Sequence, residues 1–261
     1  MDHRGLLRRV WLFAELDDRD LEHVAQVVRE RVCAAREVLV HQGDLSGDLF
    51  AVLQGRLKVA TSSAEGESVV LSILGPGEVF GEIALLDGAE RSATVIAFEP
   101  CRLLVVPRAA FLGVIRDFPD LALRLLATMA KRIRTLSSRA EDSMLLDVPT
   151  RLARTILALA ARFGVPGGVG RVRVTIRLRQ QELGDLVGAT REMVNKCLAV
   201  WRRRRLVKHS GGVLLVLNEE RLQEVADGIR APRPAAGGPA RRARRPRRVG
   251  GVPAARPVPM N

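Results

Sequence analysis

The stretch PGEVFGEIALLDGAERSATVIA, Pro76 to Ala97, decides how this chain of 261 residues is read. It predicts a short strand ending at Phe80, a tight turn at Gly81, a helical turn from Glu82 to Leu86, a polar loop, and a second strand starting near Ala93. A glycine at 81 lets the backbone approach a partner closely, and N–H groups at the start of a helical turn favour an anion. Glu82 can accept from a hydroxyl, Arg91 can clamp a phosphate, and Ser92 can donate to it. Singly, these are ordinary turn residues. In the order G-E-I-A-x(6)-R-S-A they place a hydroxyl acceptor and phosphate donors in one cassette.

Around the cassette, residues 37–106 break into short β-branched runs: VLVH, LFAVLQG, RLKVATS, SVVLSIL, ATVIAF and CRLLVV. Glycines at 43, 47, 55, 66, 75, 77 and 88 punctuate them, the pattern of a small antiparallel roll. Before it, residues 6–30 carry helical spacing at Leu21, Val24, Ala25 and Val28, with Asp17 and Asp18 as a cap. After it, Pro107 opens a short helix, and Phe118-Pro119-Asp120 marks a break. A longer helix follows, with Ala122, Leu126, Met129, Ile133, Leu136, Ala140 and Ser143 at alternating spacings of four and three. Such a seam packs against a copy of itself in a parallel homodimer, or as a plain helix on the roll.

Past Asp147-Val148-Pro149 the pattern changes again. Residues 150–163 form an amphipathic helix, Gly164 to Gly170 a glycine-rich turn, and Arg171 to Ile176 a strand. A helix over Arg179 to Val187, a turn at Gly188-Ala189 and a Thr190-capped second helix to about Arg204 spell a helix-turn-helix. Val194, Cys197, Leu198 and Trp201 give the second helix an apolar face. The opposite arc carries Arg191, Glu192, Asn195, Lys196 and Arg202. Arg191 and Lys196 suit guanine, Glu192 suits cytosine, and Gln180, Gln181 and Thr190 suit phosphates. Leu206 to Leu217 reads as a wing whose tip includes Lys208 and His209.

Net charge is +13, but the tail from Gly228 to Asn261 holds nine arginines and no acidic residue, so charge alone makes no case for the core. That tail cannot bury a core and is expected to be disordered, adding salt-sensitive DNA affinity or nothing specific. No apolar run is long enough to span a membrane, and the charged N-terminus is no signal peptide, which points to a cytoplasmic protein. Cys33, Cys101 and Cys197 match no zinc spacing and read as small buried hydrophobes. No paired carboxylates, Cys/His dyad or P-loop suggests an enzyme, and no metal, haem or iron–sulfur cluster is expected.

The cassette, the string T-R-E-x-V-x-K from Thr190 to Lys196 and the phrase LLDVPTRLARTILALAARFG resemble the cyclic AMP receptor protein and fumarate-nitrate regulator family, over about residues 10 to 225. The resemblance implies an α+β chain. A β-roll cyclic-nucleotide-binding domain spans 1–118, a dimerisation helix 119–147, a winged helix-turn-helix 148–227 and a basic tail 228–261. It implies that Gly81, Glu82, Ile83, Ala84, Arg91 and Ser92 hold ribose and phosphate, that Arg132 pairs with Glu82, and that Ser137 reaches across the dimer. Leu136 stands where cyclic AMP receptors have an adenine-bonding threonine. Cyclic AMP is still the leading ligand that the resemblance implies, accepted with weaker discrimination or replaced by another. Expected partners are a second copy, double-stranded DNA with a roughly palindromic site, and RNA polymerase, with no membrane. A regulator active without this ligand, or an architectural protein coating DNA broadly, are the alternatives. Arg91→Ala is expected to abolish ligand binding and leave the fold intact.

Overall fold

The computed structural model describes residues 3–62 and 68–228. It opens with α1 (His3–Leu7) and α2 (Asp18–Val27), the latter capped by Asp17, whose carboxylate accepts the N–H of Asp20. Six strands follow: β1 (Arg29–Cys33), β2 (Val38–Val40), β3 (Leu49–Gln54), β4 (Leu57–Ser62), β5 (Ser68–Leu74) and β6 (Val79–Phe80). A single turn of helix, α3 (Glu82–Asp87), interrupts them before β7 (Thr94–Ala97) and β8 (Cys101–Val106). All pairings are antiparallel, giving two four-stranded sheets in the orders β1-β8-β3-β6 and β2-β7-β4-β5.

This is the expected roll with one strand more. The segment R-E-R-V-C of β1 has charged residues at three of five positions, which masks its strand character. Its pairing with β8, from Arg29 opposite Val105 to Cys33 opposite Cys101, is visible only in three dimensions. Strands β3 and β8 are buried along nearly their whole length, because both faces are covered. Phe50, Val52, Leu103 and Val105 fill the interior between the sheets. Leu49, Ala51, Leu53, Leu104 and Val106 face a second core completed by α1, α2, α4 (Arg108–Asp117) and the start of α5 (Asp120–Leu145).

Helix α5 is anchored by Leu121 and Leu125, both fully buried. Beyond them its heptad stripe lies in solvent, with Leu126, Ile133 and Leu136 between 56 and 63 % exposed. The C-terminal unit comprises α6 (Val148–Phe163), β9 (Gly164–Pro166), β10 (Val172–Arg177), α7 (Gln180–Val187), α8 (Arg191–Arg203), β11 (Val207–Ser210), β12 (Val213–Val216) and α9 (Glu219–Ala226). Its sheet runs β11-β12-β10-β9. Two elements depart from the sequence reading. The start of the glycine-rich turn is strand β9, paired with β10, and α9 packs Leu222 and Ala226 into the C-terminal core. The arginine-rich tail expected to be disordered lies outside the described residues from 229 onward, as does Gly66. The fold is α+β: an antiparallel roll, a long helix and a winged helix-turn-helix.

Phe111 of α4 is fully buried and meets Phe13 edge-on, ring centroids 6.4 Å apart. Phe111→Ala should therefore lower stability by about 4 kcal/mol in urea denaturation. Leu45→Ala, at a side chain 84 % exposed, should stay within about 0.5 kcal/mol of the parent.

Candidate functional site

The cassette is shaped by one backbone constraint. Gly81, which precedes α3, has φ +86°, and a Cβ there would lie 2.5 Å from Arg91 Nη1 and 2.7 Å from the Asp48 carbonyl oxygen. Only glycine fits both the left-handed conformation and the space. The turn sets Glu82 inward at 2 % exposure, where one carboxylate oxygen pairs with Arg132 of α5. Arg132 also donates to the Val79 carbonyl at 2.6 Å. The other oxygen, Oε2, is buried without a hydrogen-bond partner among the described residues. A buried carboxylate oxygen in that condition is an acceptor for a hydroxyl, so the residues present fit a ribose.

Arg91 is placed differently from a free clamp. It is 4 % exposed. Its guanidinium donates to Ser46 Oγ at 3.0 Å, to the Gly81 carbonyl at 3.1 Å and to the Asp48 carbonyl at 2.8 Å. It also lies over the Phe50 ring, which stacks on Phe80. Burial pulls its pKa down, while the carboxylates of Asp48, Glu82 and Asp44 pull it up. Three of five N–H groups are engaged, so two are left for an anion. The expectation that Arg91→Ala leaves the fold intact is thus corrected: the side chain ties the α3–β7 loop to the β2–β3 loop and to the turn at Gly81. Ser92 is exposed. An open cleft of about 810 Å³ beside it is lined by His41, Gln42, Ser62, Glu90, Arg91 and Thr94, among others. Ala84 is buried, Ile83 is 45 % exposed, and Leu136 and Ser137 of α5 are exposed. The structure brings Gly81, Glu82, Arg91 and Arg132 together; Leu136 stands one helical turn beyond Arg132 on α5, and no contact of Leu136 or Ser137 with the cassette is seen among the described residues.

In the C-terminal unit, Thr190 caps α8 by accepting the N–H of Met193. Val194, Leu198 and Trp201 are buried, and Arg191, Glu192, Asn195 and Lys196 are exposed. The Gln180 amide donates to Asn195, and that of Gln181 to Asp185, so both side chains are already engaged. Gly184 permits the tight turn, since a Cβ there would lie 2.5 Å from the Ala189 carbonyl. His209 is turned back onto the Leu178 carbonyl at 2.8 Å, which leaves Lys208 as the exposed basic residue of the wing. Cys33 and Cys101, distant in sequence, face each other across β1 and β8, and burial raises both thiol pKa values. No cluster of metal-ligating side chains occurs among the described residues, and none of their helices is long and apolar enough to cross a membrane.

Comparison with known proteins follows the same division. Residues 30–118 match the model of the cyclic nucleotide-binding domain, and residues 150–225 that of the Crp-like helix-turn-helix domain. A CRP-like cAMP-activated global transcriptional regulator of Mycobacterium tuberculosis is 34 % identical, covering 69 % of this chain and 80 % of its own. The cyclic AMP receptor protein of Thermus thermophilus is 30 % identical over 84 % of this chain and 97 % of its own. Among solved structures, the c-di-GMP responsive regulator CLP of Xanthomonas campestris shares the fold at TM-score 0.66 and 23 % identity, over 77 % of this chain and 99 % of that one.

Ser92 is the cleanest probe of the cassette, since its hydroxyl has no described partner and its loss should cost under about 0.5 kcal/mol of stability. Ser92→Ala is expected to keep the parental urea midpoint and bind a cyclic nucleotide about tenfold more weakly, as the loss of one hydrogen bond to a charged group predicts. Arg91→Ala should fail on both measures.

Proposed function

Since this chain is a member of the CRP/FNR family of DNA-binding transcriptional regulators, we propose that it works as a homodimer whose DNA binding is controlled by a cyclic nucleotide, with cyclic AMP as the ligand. The observation that carries this reading is Glu82. Its buried carboxylate pairs with Arg132 through one oxygen and leaves the other, Oε2, buried with no hydrogen-bond partner among the described residues. A ribose hydroxyl supplies the missing donor, and the free N–H groups of Arg91 with the Ser92 hydroxyl meet the cyclic phosphate. Several relatives are named as cAMP-activated, which favours adenine.

The dimer rests on the α5 stripe. Leu126, Ile133 and Leu136 repeat at heptad spacing and stay in solvent in the single chain, so a second α5 gives them a burial surface. Two recognition helices related by a two-fold axis would then enter successive major grooves of a roughly palindromic site. Arg191, Glu192 and Lys196 read bases, and RNA polymerase is the downstream partner. On this reading the protein is a cytoplasmic regulator, with no catalytic role.

A second reading concerns the ligand alone. Leu136 lacks the hydroxyl that would bond adenine, and the regulator from Xanthomonas that shares the fold is described as c-di-GMP responsive. Titration calorimetry with cyclic AMP, cyclic GMP and cyclic di-GMP separates the two. Cyclic AMP is expected to bind at one site per chain, and Leu136→Thr to tighten it by about 1 kcal/mol through the restored base contact. Preference for the dinucleotide, or no binding of any of the three, overturns cyclic AMP as the ligand.

A further inference from the structure

Strand β5 is an edge strand, and side chains of three helices meet its outward backbone groups in succession. The Val70 N–H donates to Asp185 of α7 at 3.2 Å. The Leu71 carbonyl accepts from Arg139 of α5 at 2.9 Å, and the Ile73 carbonyl from Arg162 of α6 at 3.1 Å. Free sheet edges normally leave such groups to water. The side chain of Ile73 goes further and sits in the core of the helix-turn-helix unit, 3 % exposed. One strand away, Lys58 of β4 reaches Glu182 of α7 at 3.2 Å, with side chains 17 and 6 % exposed. The Lys58 ammonium also lies over the Phe98 ring.

Glu182 has a second duty. It accepts the Arg179 N–H at 2.8 Å and so closes the start of α7. Burial pushes its pKa up, but the Arg179 N–H and then Lys58 outweigh burial and hold it below the ordinary carboxylate value. Its other cation, the Arg179 guanidinium, stands 3.4 Å away on a side chain 78 % exposed. The buried counter-charge for the first helix of the helix-turn-helix therefore comes from the roll. The same strand that carries Lys58 ends at Ser62, on the rim of the cleft beside Arg91 and Ser92.

We propose that Lys58 is a positioning residue for DNA recognition: through Glu182 it seats α7 on the β4–β5 hairpin and fixes the direction in which α8 presents Arg191, Glu192, Asn195 and Lys196. A movement of β4 at the cleft is then delivered to the recognition helix without passing along α5. This inference rests on the ligand-gated reading above for its functional consequence, and on the contacts alone for the seating.

Lys58→Met keeps the apolar stem and removes the charge; Lys58→Arg keeps the charge. Two readouts are needed. In nucleotide-free protein, hydrogen exchange is expected to accelerate at least tenfold in both 68–74 and 180–187 for Lys58→Met, and to stay near the parental rate for Lys58→Arg. In DNA titrations with and without cyclic AMP, the ratio of affinities should fall at least fivefold toward one for Lys58→Met, with nucleotide affinity within twofold of the parent, and recover with Lys58→Arg. Unchanged exchange at 180–187, or an unchanged ratio, overturns the proposal. If the parent itself shows no effect of cyclic AMP on DNA, the ligand-gated reading fails, and exchange still decides the seating. If Lys58→Met also opens 191–203, the unit has unfolded, and the same two readouts on Asp185→Ala decide instead.

Discussion

The pairing of Glu82 with Arg132 is the contact on which the rest of the arrangement depends. A carboxylate at 2 % exposure would be unaffordable without a cation, and the cation comes from a helix fifty residues further along the chain. Arg132 also bonds the Val79 carbonyl, so one guanidinium joins the long helix to both the strand that enters the cassette and the helical turn that leaves it. Removing either partner of such a pair costs about 3–5 kcal/mol, an upper figure here because Arg132 keeps about a third of its side chain in water. The cassette and α5 are therefore joined by a pair that neither can leave without stranding a buried charge.

Two chains of contact join the roll to the helix-turn-helix unit. One runs from Glu82 through Arg132 along α5, whose last turns hold the C-terminal unit by Arg151 on Ser143 and Arg154 on Asp142. The other runs through β4 and β5 to α7. Both use arginine or lysine against carboxylates and backbone carbonyls, directional contacts that are made or lost over about an ångström. Apolar packing, by contrast, resists sliding less, so it is the polar contacts that can distinguish one pose of the helix-turn-helix from another.

Local chemistry made much of this legible in the sequence. Gly81, Glu82 and the R-S pair announce the cassette because their order is rare. The helix-turn-helix is readable because its cap, turn glycine and apolar face fall within twenty-five residues. What escaped depends on distant pairing. Strand β1 is polar at three of five positions and gains its register only from β8. Arg91 reads as a ligand clamp, yet three protein oxygens hold it, two of them on residues more than forty positions away. The meeting of Cys33 with Cys101, the turning of His209 onto Leu178, and the Lys58–Glu182 pair across 124 residues leave no local periodicity to find. Helix α9 is short and its apolar residues few, so its existence owes more to the core it covers than to its own pattern.

The most direct test of the account is reciprocal linkage. The affinity for cyclic AMP is measured with and without a specific DNA duplex, and the affinity for that duplex with and without cyclic AMP. If cassette and recognition helix share one equilibrium, the factor is the same in both directions, at least about fivefold, as a single coupling free energy requires. A factor of one, with both ligands bound normally, would contradict it: cassette and recognition helix would then share a chain without sharing an equilibrium.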